Sequence, residues 1–243
     1  HFMKKLFTLF LLIILTSCNQ EIASNSISST TSSTSEEINN EQYWDVSNVD
    51  ISHIDKENRL ICFTFDDGPI SNTAKELLDV FDNFNKKYAS EGFTAHGTFF
   101  YKGINVIEEN KSIIERAIES DFQIGNHTVN HKHLENLSSQ EINEEISGTL
   151  NSLNSFVGIN ETLVRLPFGT YNDLVLENVN YPMINWTKGL DTLDWNGKTA
   201  DEIYNTVINN LCDGGIVLMH EGFQTTINAV KKLLPALYER GYQ

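Results

Sequence analysis

The strongest constraint on the fold is a regular alternation of short β-rich runs and helical patterns that begins at about Asn58. This alternation is typical of repeated βα units, in which parallel strands are joined by helices that cover the sheet. Two helices are marked by capping boxes, Ser138 with Glu141 and Thr199 with Glu202, each followed by an apolar stripe of helical spacing. The predicted strands are Leu60–Phe65, Gly97–Tyr101, Phe122–Gly125, Leu163–Leu166, Met183–Trp186 and Gly215–Met219. The pattern therefore predicts one α/β domain with a parallel sheet.

Polar side chains capable of chemistry follow these strands at their carboxyl ends. They are Asp66 and Asp67 after the first strand, His127 after the third, Arg165 at the end of the fourth, Asp191 and Asp194 after the fifth, and His220 after the sixth. In β/α barrels the loops at the carboxyl ends of the strands converge on one mouth. We therefore expect residues separated by more than 150 positions to meet in a single pocket.

The first residues of the sequence have the pattern of a targeting signal. A basic start at residues 4–5 precedes an apolar run at residues 6–15. This run is too short to span a bilayer, because a membrane helix takes about 20 residues. The sequence LTSC that ends at Cys18 resembles the lipobox of bacterial lipoproteins; the alternative is an ordinary secretory leader with a chance cysteine. We expect residues 1–18 to be a signal peptide and a lipid on Cys18 to hold the protein at the bacterial cell surface.

A polar segment separates this leader from the predicted domain. Ser, Thr, Asn and Glu dominate it, and it offers too little apolar surface to offset the entropy cost of ordering. We therefore expect residues 19–57 to be a flexible linker and lead-in, and residues 58–243 to be the functional domain. His1 and Phe2 precede Met3, which we expect to be the initiator, and we expect these two residues to be extraneous.

Charge and cysteine content narrow the choice of partners. The formal net charge is -16, from 33 acidic and 17 basic residues, which argues against a nucleic acid partner, because phosphate binding depends on clustered Lys and Arg. The three cysteines are too few and too far apart for a disulfide framework or a Cys-rich zinc site. Any metal must therefore be held by histidine and carboxylate.

Two histidines four residues apart, in the sequence HTVNH, could provide part of such a metal site. On one helical turn, His127 and His131 would face the same way and hold one divalent ion, but they need a third ligand. A structural pair is the alternative. A zincin-type protease is disfavoured, because it requires Glu at the position occupied by Thr128.

Adjacent carboxylates at Asp66 and Asp67 lie on a turn that Gly68 and Pro69 favour. A solvated Asp-Gly turn is the simpler interpretation. In a shared mouth the two carboxylates would repel each other unless a cation compensated them. A bound metal would let both stay ionised, one as a ligand and the other as a base.

Five segments together resemble, in order and approximate spacing, the motifs of the polysaccharide deacetylases, carbohydrate esterase family four. The segments are TFDDGP (64–69), HTVNH (127–131), RLPFG (165–169), DTLDW (191–195) and LMH (218–220). The resemblance covers residues 60–242 approximately and implies a distorted (β/α) barrel. The resemblance implies a final strand after Tyr242, and the given sequence ends there, so we expect either a barrel that is open and lacks its last strand or an incomplete sequence.

The resemblance implies roles for residues in the first three motifs. Asp67, His127 and His131 are expected to bind one divalent metal ion, usually zinc, with cobalt, nickel, manganese and iron as alternatives. Asp66 is expected to be the general base that deprotonates the attacking water, and Arg165 is expected to hold Asp66 in place.

The later motifs imply an acid and a substrate groove. His220 is expected to protonate the departing amine, with Asp194 raising its pKa and orienting it. The resemblance assigns the backbone N–H of Phe168 to the oxyanion, the rings of Phe168 and Trp195 to the groove wall, and Leu218 to the acetyl methyl pocket. For these apolar side chains, ordinary packing is the alternative.

The function implied is hydrolysis of N-acetyl groups on N-acetylglucosamine residues of a surface polysaccharide, with peptidoglycan favoured by the predicted surface location. The alternatives are an esterase that removes O-acetyl groups from xylan, and a non-catalytic carbohydrate-binding relative. Retention of the complete set of motif residues argues against the non-catalytic relative. His53, His96 and His133 match no motif and are expected to be structural or surface residues.

Overall fold

The computed structural model describes residues 59–243. The predicted leader with Cys18, the predicted linker at residues 19–57 and His53 lie outside the described residues, so those expectations stay predictions. Four parallel strands form one sheet in the order β3-β2-β1-β4. They are β1 (Ile61–Asp66), β2 (Thr98–Tyr101), β3 (Gln123–Asn126) and β4 (Gly215–His220). Each matches a predicted strand to within one residue at either end.

Two short segments close this sheet into a barrel. Asn126 at the end of β3 pairs with Val164, and Val164 pairs in turn with Met183. The segment after Met183 continues across to the other edge, where the Thr187 N–H donates to the Ile216 carbonyl of β4 at 3.0 Å. The backbone pairing therefore runs around a ring, which confirms the distorted (β/α) barrel expected from the motifs.

The fourth and fifth predicted strands are shorter than expected. Each is reduced to an isolated bridge, at Val164 and at Met183. Pro167 and Pro182 flank these bridges, and proline has no backbone N–H to extend a ladder. The apolar runs therefore contribute to the barrel wall without forming regular strands.

The last residues of the chain pair with the beginning of β1. Tyr242 forms a parallel bridge with Arg59, and the Gln243 N–H donates to the Arg59 carbonyl at 2.7 Å. In return, the Ile61 N–H donates to the Gln243 carbonyl at 2.9 Å. Tyr242 and Gln243 therefore pair with the beginning of β1 in the manner of a short parallel strand.

Six α-helices within residues 59–243 surround the barrel and cover its outer face. They are α1 (Ser71–Tyr88), α2 (Lys111–Glu119), α3 (Ser139–Val157), α4 (Asp173–Asn178), α5 (Ala200–Asn209) and α6 (Gln224–Tyr238). The predicted capping boxes at Ser138 and Thr199 are present at the starts of α3 and α5. None of the helices at residues 59–243 is both long and apolar enough to cross a membrane.

Side chains along each strand alternate between the helices and the barrel interior, as the twofold period of a strand requires. On β1, Phe63 and Phe65 pack into the core shared with the helices, whereas Thr64 and Asp66 point into the barrel. Along β4, the same alternation directs Leu218 inward. The pattern delivers Asp66 to the inside of the barrel, at its mouth.

Aromatic side chains fill the core between β1 and the surrounding helices. Phe65 is fully buried and contacts Phe63, Phe81 and Phe99. We expect Phe65→Ala to lower the free energy of unfolding by about 3 to 5 kcal/mol, because it removes buried area and leaves a cavity. Tyr171→Ala, at a ring that is 55% exposed, serves as the control and is expected to change it by less than about 0.5 kcal/mol. Equal effects in urea titration would contradict this packing.

Candidate active site

Asp66 and His220 lie side by side at the mouth of the barrel. They are the last residues of β1 and β4, and they are partners in the parallel register of those strands. Neighbouring strands are about 4.8 Å apart, and registered partners point to the same face. The expected convergence of carboxyl ends therefore brings together residues that are far apart in the sequence.

Asp67, His127 and His131 form a cluster that can hold a metal ion. Their ligand atoms all lie within 4.8 Å of one another. Asp67 Oδ1 is 3.9 Å from His127 Nε2 and 3.7 Å from His131 Nε2. Metal–ligand bonds of about 2.1 Å place the ligand atoms of a zinc-like site roughly 3 to 4 Å apart, so the donor set fits.

The carboxylate of Asp67 has an oxygen that a cation would satisfy. Asp67 Oδ1 is buried and has no hydrogen-bond partner among the described residues. Lys102 Nζ lies 3.4 Å from it as an ion pair without hydrogen-bond geometry. Burial alone would raise the pKa of Asp67, but the neighbouring His127 and Lys102 outweigh it and hold that pKa below its usual value. An ionised carboxylate is therefore available as a ligand.

The HTVNH segment is a loop, and the helical turn considered for it is wrong. Thr128 and His131 both have left-handed backbone, with φ values of 65° and 55°. Side chains hold these reversals, because Asn126 Oδ1 accepts from the Thr128 N–H at 2.9 Å and Thr128 Oγ1 accepts from the His131 N–H at 3.1 Å. Buried Glu145 on α3 also accepts from the Asn130 N–H at 2.7 Å. Tertiary contacts, not helix geometry, bring the two imidazoles together.

The surroundings of His127 and His131 favour the neutral form of both imidazoles, which is the form that can bind a metal. His127 Nδ1 donates to the Arg165 carbonyl at 2.8 Å, which leaves the Nε2 lone pair facing Asp67. Burial lowers the pKa of His127 despite the nearby carboxylates. Burial, followed by the neighbouring His127, lowers the pKa of His131 to about 4.

Asp66 is fixed by a buried ion pair with Arg165. The guanidinium Nη1 donates to Asp66 Oδ1 at 2.8 Å and to Thr64 Oγ1 at 2.7 Å. The second oxygen, Asp66 Oδ2, lies 3.6 Å from His127 Nε2. One oxygen of Asp66 is therefore engaged by Arg165, while the other faces the metal-ligand cluster.

His220 is paired with the buried carboxylate of Asp194. The His220 Nδ1 donates to Asp194 Oδ1 at 2.7 Å, and Thr226 Oγ1 donates to Asp194 Oδ2 at 2.6 Å. Burial alone would lower the pKa of His220, but the hydrogen bond and the charge of Asp194 outweigh it, and the pKa is raised. His220 is thus suited to stay protonated at a pH where the other two imidazoles are neutral.

The three predicted substrate residues occupy different environments. Phe168 and Trp195 lie after the bridges at Val164 and Met183, respectively. They are 51% and 54% exposed, so a ligand can reach them. Leu218 is buried inside the barrel on the strand that ends at His220. The structure places Phe168 against the cluster, since its ring lies 4.6 Å from that of His131.

Residues outside the motifs support the Asp67 turn, and the sequence did not reveal them. Asn105 Nδ2 donates to the Asp67 carbonyl at 3.0 Å, and Glu221 Oε1 accepts from the Ile70 N–H. Burial raises the pKa of Glu221 to about 8. The only sequence signal for Glu221 was its position directly after His220, whereas nothing marked Asn105.

Comparison with known proteins identifies the family. Residues 53–183, just over half of the chain, match the family described as Polysaccharide deacetylase. The peptidoglycan-N-acetylglucosamine deacetylase PgdA of Listeria monocytogenes is 34% identical over 188 residues, which are 77% of this chain and 38% of that protein. The chain therefore spans about two fifths of the length of that relative.

Solved structures of similar proteins share the barrel. Peptidoglycan deacetylase PdaC from Bacillus subtilis matches with a TM-score of 0.70 and 28% identity, over 78% of this chain and 88% of that one. A family 4 acetyl xylan esterase from Clostridium thermocellum, solved with a cobalt ion, matches with a TM-score of 0.68 and 28% identity, over 76% and 86% of the two chains. In both sequence and fold, this chain belongs to the polysaccharide deacetylase family, carbohydrate esterase family 4.

Proposed function

We propose that this chain is a metal-dependent hydrolase that removes N-acetyl groups from N-acetylglucosamine residues of a cell-wall polysaccharide, with peptidoglycan as the favoured substrate. The observation that carries the proposal is the cluster of Asp67, His127 and His131 beside an Asp66 oxygen that Arg165 leaves free. The names of similar proteins, such as the Listeria deacetylase, support the same substrate class.

Asp67, His127 and His131 would hold one divalent ion, for which we propose zinc, with cobalt, nickel, manganese and iron as alternatives. When bound, such an ion supplies acidification of water and polarisation of the acetyl carbonyl. Asp66 would take the proton from the attacking water through Oδ2. Arg165 keeps the other oxygen of Asp66 occupied, so that the base has a single orientation.

The second half of the reaction would use His220. A protonated His220 donates to the departing amine, and Asp194 stabilises that charged form and fixes the ring. The backbone N–H of Phe168 would stabilise the oxyanion. Phe168 and Trp195 would form the groove wall, and Leu218 would contact the acetyl methyl group from inside the barrel.

An esterase acting on O-acetyl xylan is the second candidate, supported by the similarity to the Clostridium esterase. Hydrolysis of an ester needs protonation of its leaving group less than hydrolysis of an amide does. The buried Asp194 that raises the pKa of His220 therefore favours the amide. A non-catalytic carbohydrate-binding relative is disfavoured, because a base, a ligand set and an acid meet at one mouth.

We further propose an extracytoplasmic location, with the domain tethered to the bacterial membrane by a lipid on Cys18. The support is the lipobox-like sequence together with cell-wall names among the relatives. Mass spectrometry of the membrane fraction would detect the lipid, and a Cys18→Ala variant should release the protein into the medium.

The proposed substrate is tested by parallel assays. Acetate release is measured from N-acetylglucosamine oligomers, from peptidoglycan and from acetylated xylan, with the full chain loaded with zinc. We expect turnover of the amide substrates to exceed that of xylan. Faster acetate release from xylan would make the esterase the better-supported function. No acetate release from any of the three substrates would contradict both proposals.

A matched pair of substitutions separates metal binding from proton transfer. We expect His127→Ala to lose the metal, because it removes one of three ligands, and Asp66→Asn to keep it. Asp66→Asn preserves an oxygen for Arg165 and should still lose at least about a hundredfold in kcat, as expected for removal of a general base. Metal content by plasma mass spectrometry and acetate release are measured on the same samples. Near-normal kcat in Asp66→Asn would count against the mechanism.

The raised pKa of His220 predicts a pH dependence. The acid must be protonated, so activity should be present below that pKa and should fall as pH rises through it. Asp194→Asn removes the partner that raises the pKa, and we expect it to move the alkaline limb of the kcat/KM profile to lower pH. Thr226→Val removes one hydrogen bond to Asp194 and should move the limb less. An unmoved limb in Asp194→Asn would show that His220 is not the acid.

A further inference from the structure

Phe168 has a backbone conformation that needs support. Its φ is 61°, in the left-handed region, where a bulky side chain costs about 1 to 2 kcal/mol. The ring is 51% exposed, so the barrel core alone does not hold it. The next residue, Gly169, also has positive φ and packs so closely on Trp186 that an added Cβ would lie 2.8 Å from that ring. Contacts around the loop must therefore stabilise the conformation.

The ring of Phe168 contacts two histidines of the neighbouring loop. His133 stacks on it with a centroid distance of 3.8 Å and an interplanar angle of 9°. His131, a member of the metal-ligand cluster, meets it edge-on at 4.6 Å. His133, which matches no family motif, is thus in direct contact with the ring of Phe168.

Glu135 joins the two loops on either side of that stack. A single oxygen, Glu135 Oε1, accepts from His133 Nδ1 at 3.0 Å and from Thr170 Oγ1 at 2.9 Å. The Glu135 carbonyl also accepts from Asn172 Nδ2 at 3.2 Å. Residues 133–135 are therefore linked to residues 168, 170 and 172, which bracket the strained backbone.

The contacts of Glu135 lie near the surface. Its side chain is 24% exposed, and that of His133 is 49% exposed. Partly exposed ion pairs contribute about 0 to 1 kcal/mol to stability. We therefore expect these contacts to fix the arrangement of the two loops more than to raise overall stability.

We propose that His133, Glu135 and Thr170 form a brace that positions Phe168, holding its backbone N–H and its ring in register with His131. These are positioning residues, since they act on the reacting groups through Phe168. The proposal rests on the proposed function for its effect on rate, but the brace itself is a property of the fold and can be measured separately.

Kinetics of the full, zinc-loaded chain test the effect on rate. We expect His133→Ala to lower kcat about tenfold, less than the hundredfold or more for loss of an oxyanion donor, because the N–H is misplaced and not removed. His133→Phe keeps a flat ring and should recover most of the loss. Zinc affinity, measured by chelator competition, should stay within about twofold, since no metal ligand is removed.

Amide hydrogen exchange tests the brace without reference to activity. In His133→Ala and Glu135→Ala, peptides that cover residues 166–172 should exchange faster than in the parent protein. Glu144→Ala, which removes an exposed α3 carboxylate bonded to Gln140, is the matched control and should leave them unchanged.

The outcomes separate the two proposals. If the parent protein releases no acetate, the proposed function fails, while the exchange data still decide on the brace. If the parent is active but His133→Ala keeps full kcat, or exchange at residues 166–172 is unaltered, the brace is overturned. A rate loss accompanied by loss of zinc in His133→Ala would also overturn it, because the residue would then act on the ligands.

Discussion

The architecture of the site depends on one buried cation, the guanidinium of Arg165. It donates to Asp66 and to the Asn185 carbonyl, and it lies 4.1 Å over the ring of Phe100. The Arg165 backbone carbonyl accepts from His127 and so sets the tautomer of that imidazole. Leaving such a charge unpaired would cost about 3 to 5 kcal/mol. The need to satisfy Arg165 therefore couples Asp66, the histidine loop and the barrel wall.

Three imidazoles share the mouth of the barrel, and their surroundings separate their pKa values. Burial lowers the pKa of His127 and His131, whereas the buried carboxylate of Asp194 raises that of His220. One residue type can thereby serve as ligand and as acid in the same pocket, because environments that push pKa values apart assign different roles. Asp66 and Asp67 differ in their contacts, since the Arg165 guanidinium forms a hydrogen bond with Asp66 and none with Asp67.

Strained backbone is concentrated around these groups. Of the six non-glycine residues with positive φ among those described, five lie in the motif segments: Asp67, Thr128, His131, Phe168 and Leu193. Such conformations persist only where surrounding contacts over-determine them. Asn105 supports Asp67, Glu145 supports the histidine loop, and His133 stacks on Phe168. Sequence periodicity carries no trace of these contacts, which explains why HTVNH suggested a helical turn and why His133 was assigned no role.

The resemblance of five motifs to the deacetylases implied the barrel. The sequence patterns by themselves determined a parallel α/β domain, four of its strands to within one residue at either end, and the chemical types that meet at the barrel mouth. These follow from local patterns, since strand alternation, capping boxes and side-chain chemistry are properties of short segments. Only the tertiary structure decided which oxygen of Asp66 stays free, which nitrogen of His127 faces Asp67, and how Phe168 is held. Those features depend on contacts between distant segments, such as the 99 positions between Asp66 and Arg165, and a local pattern cannot encode them.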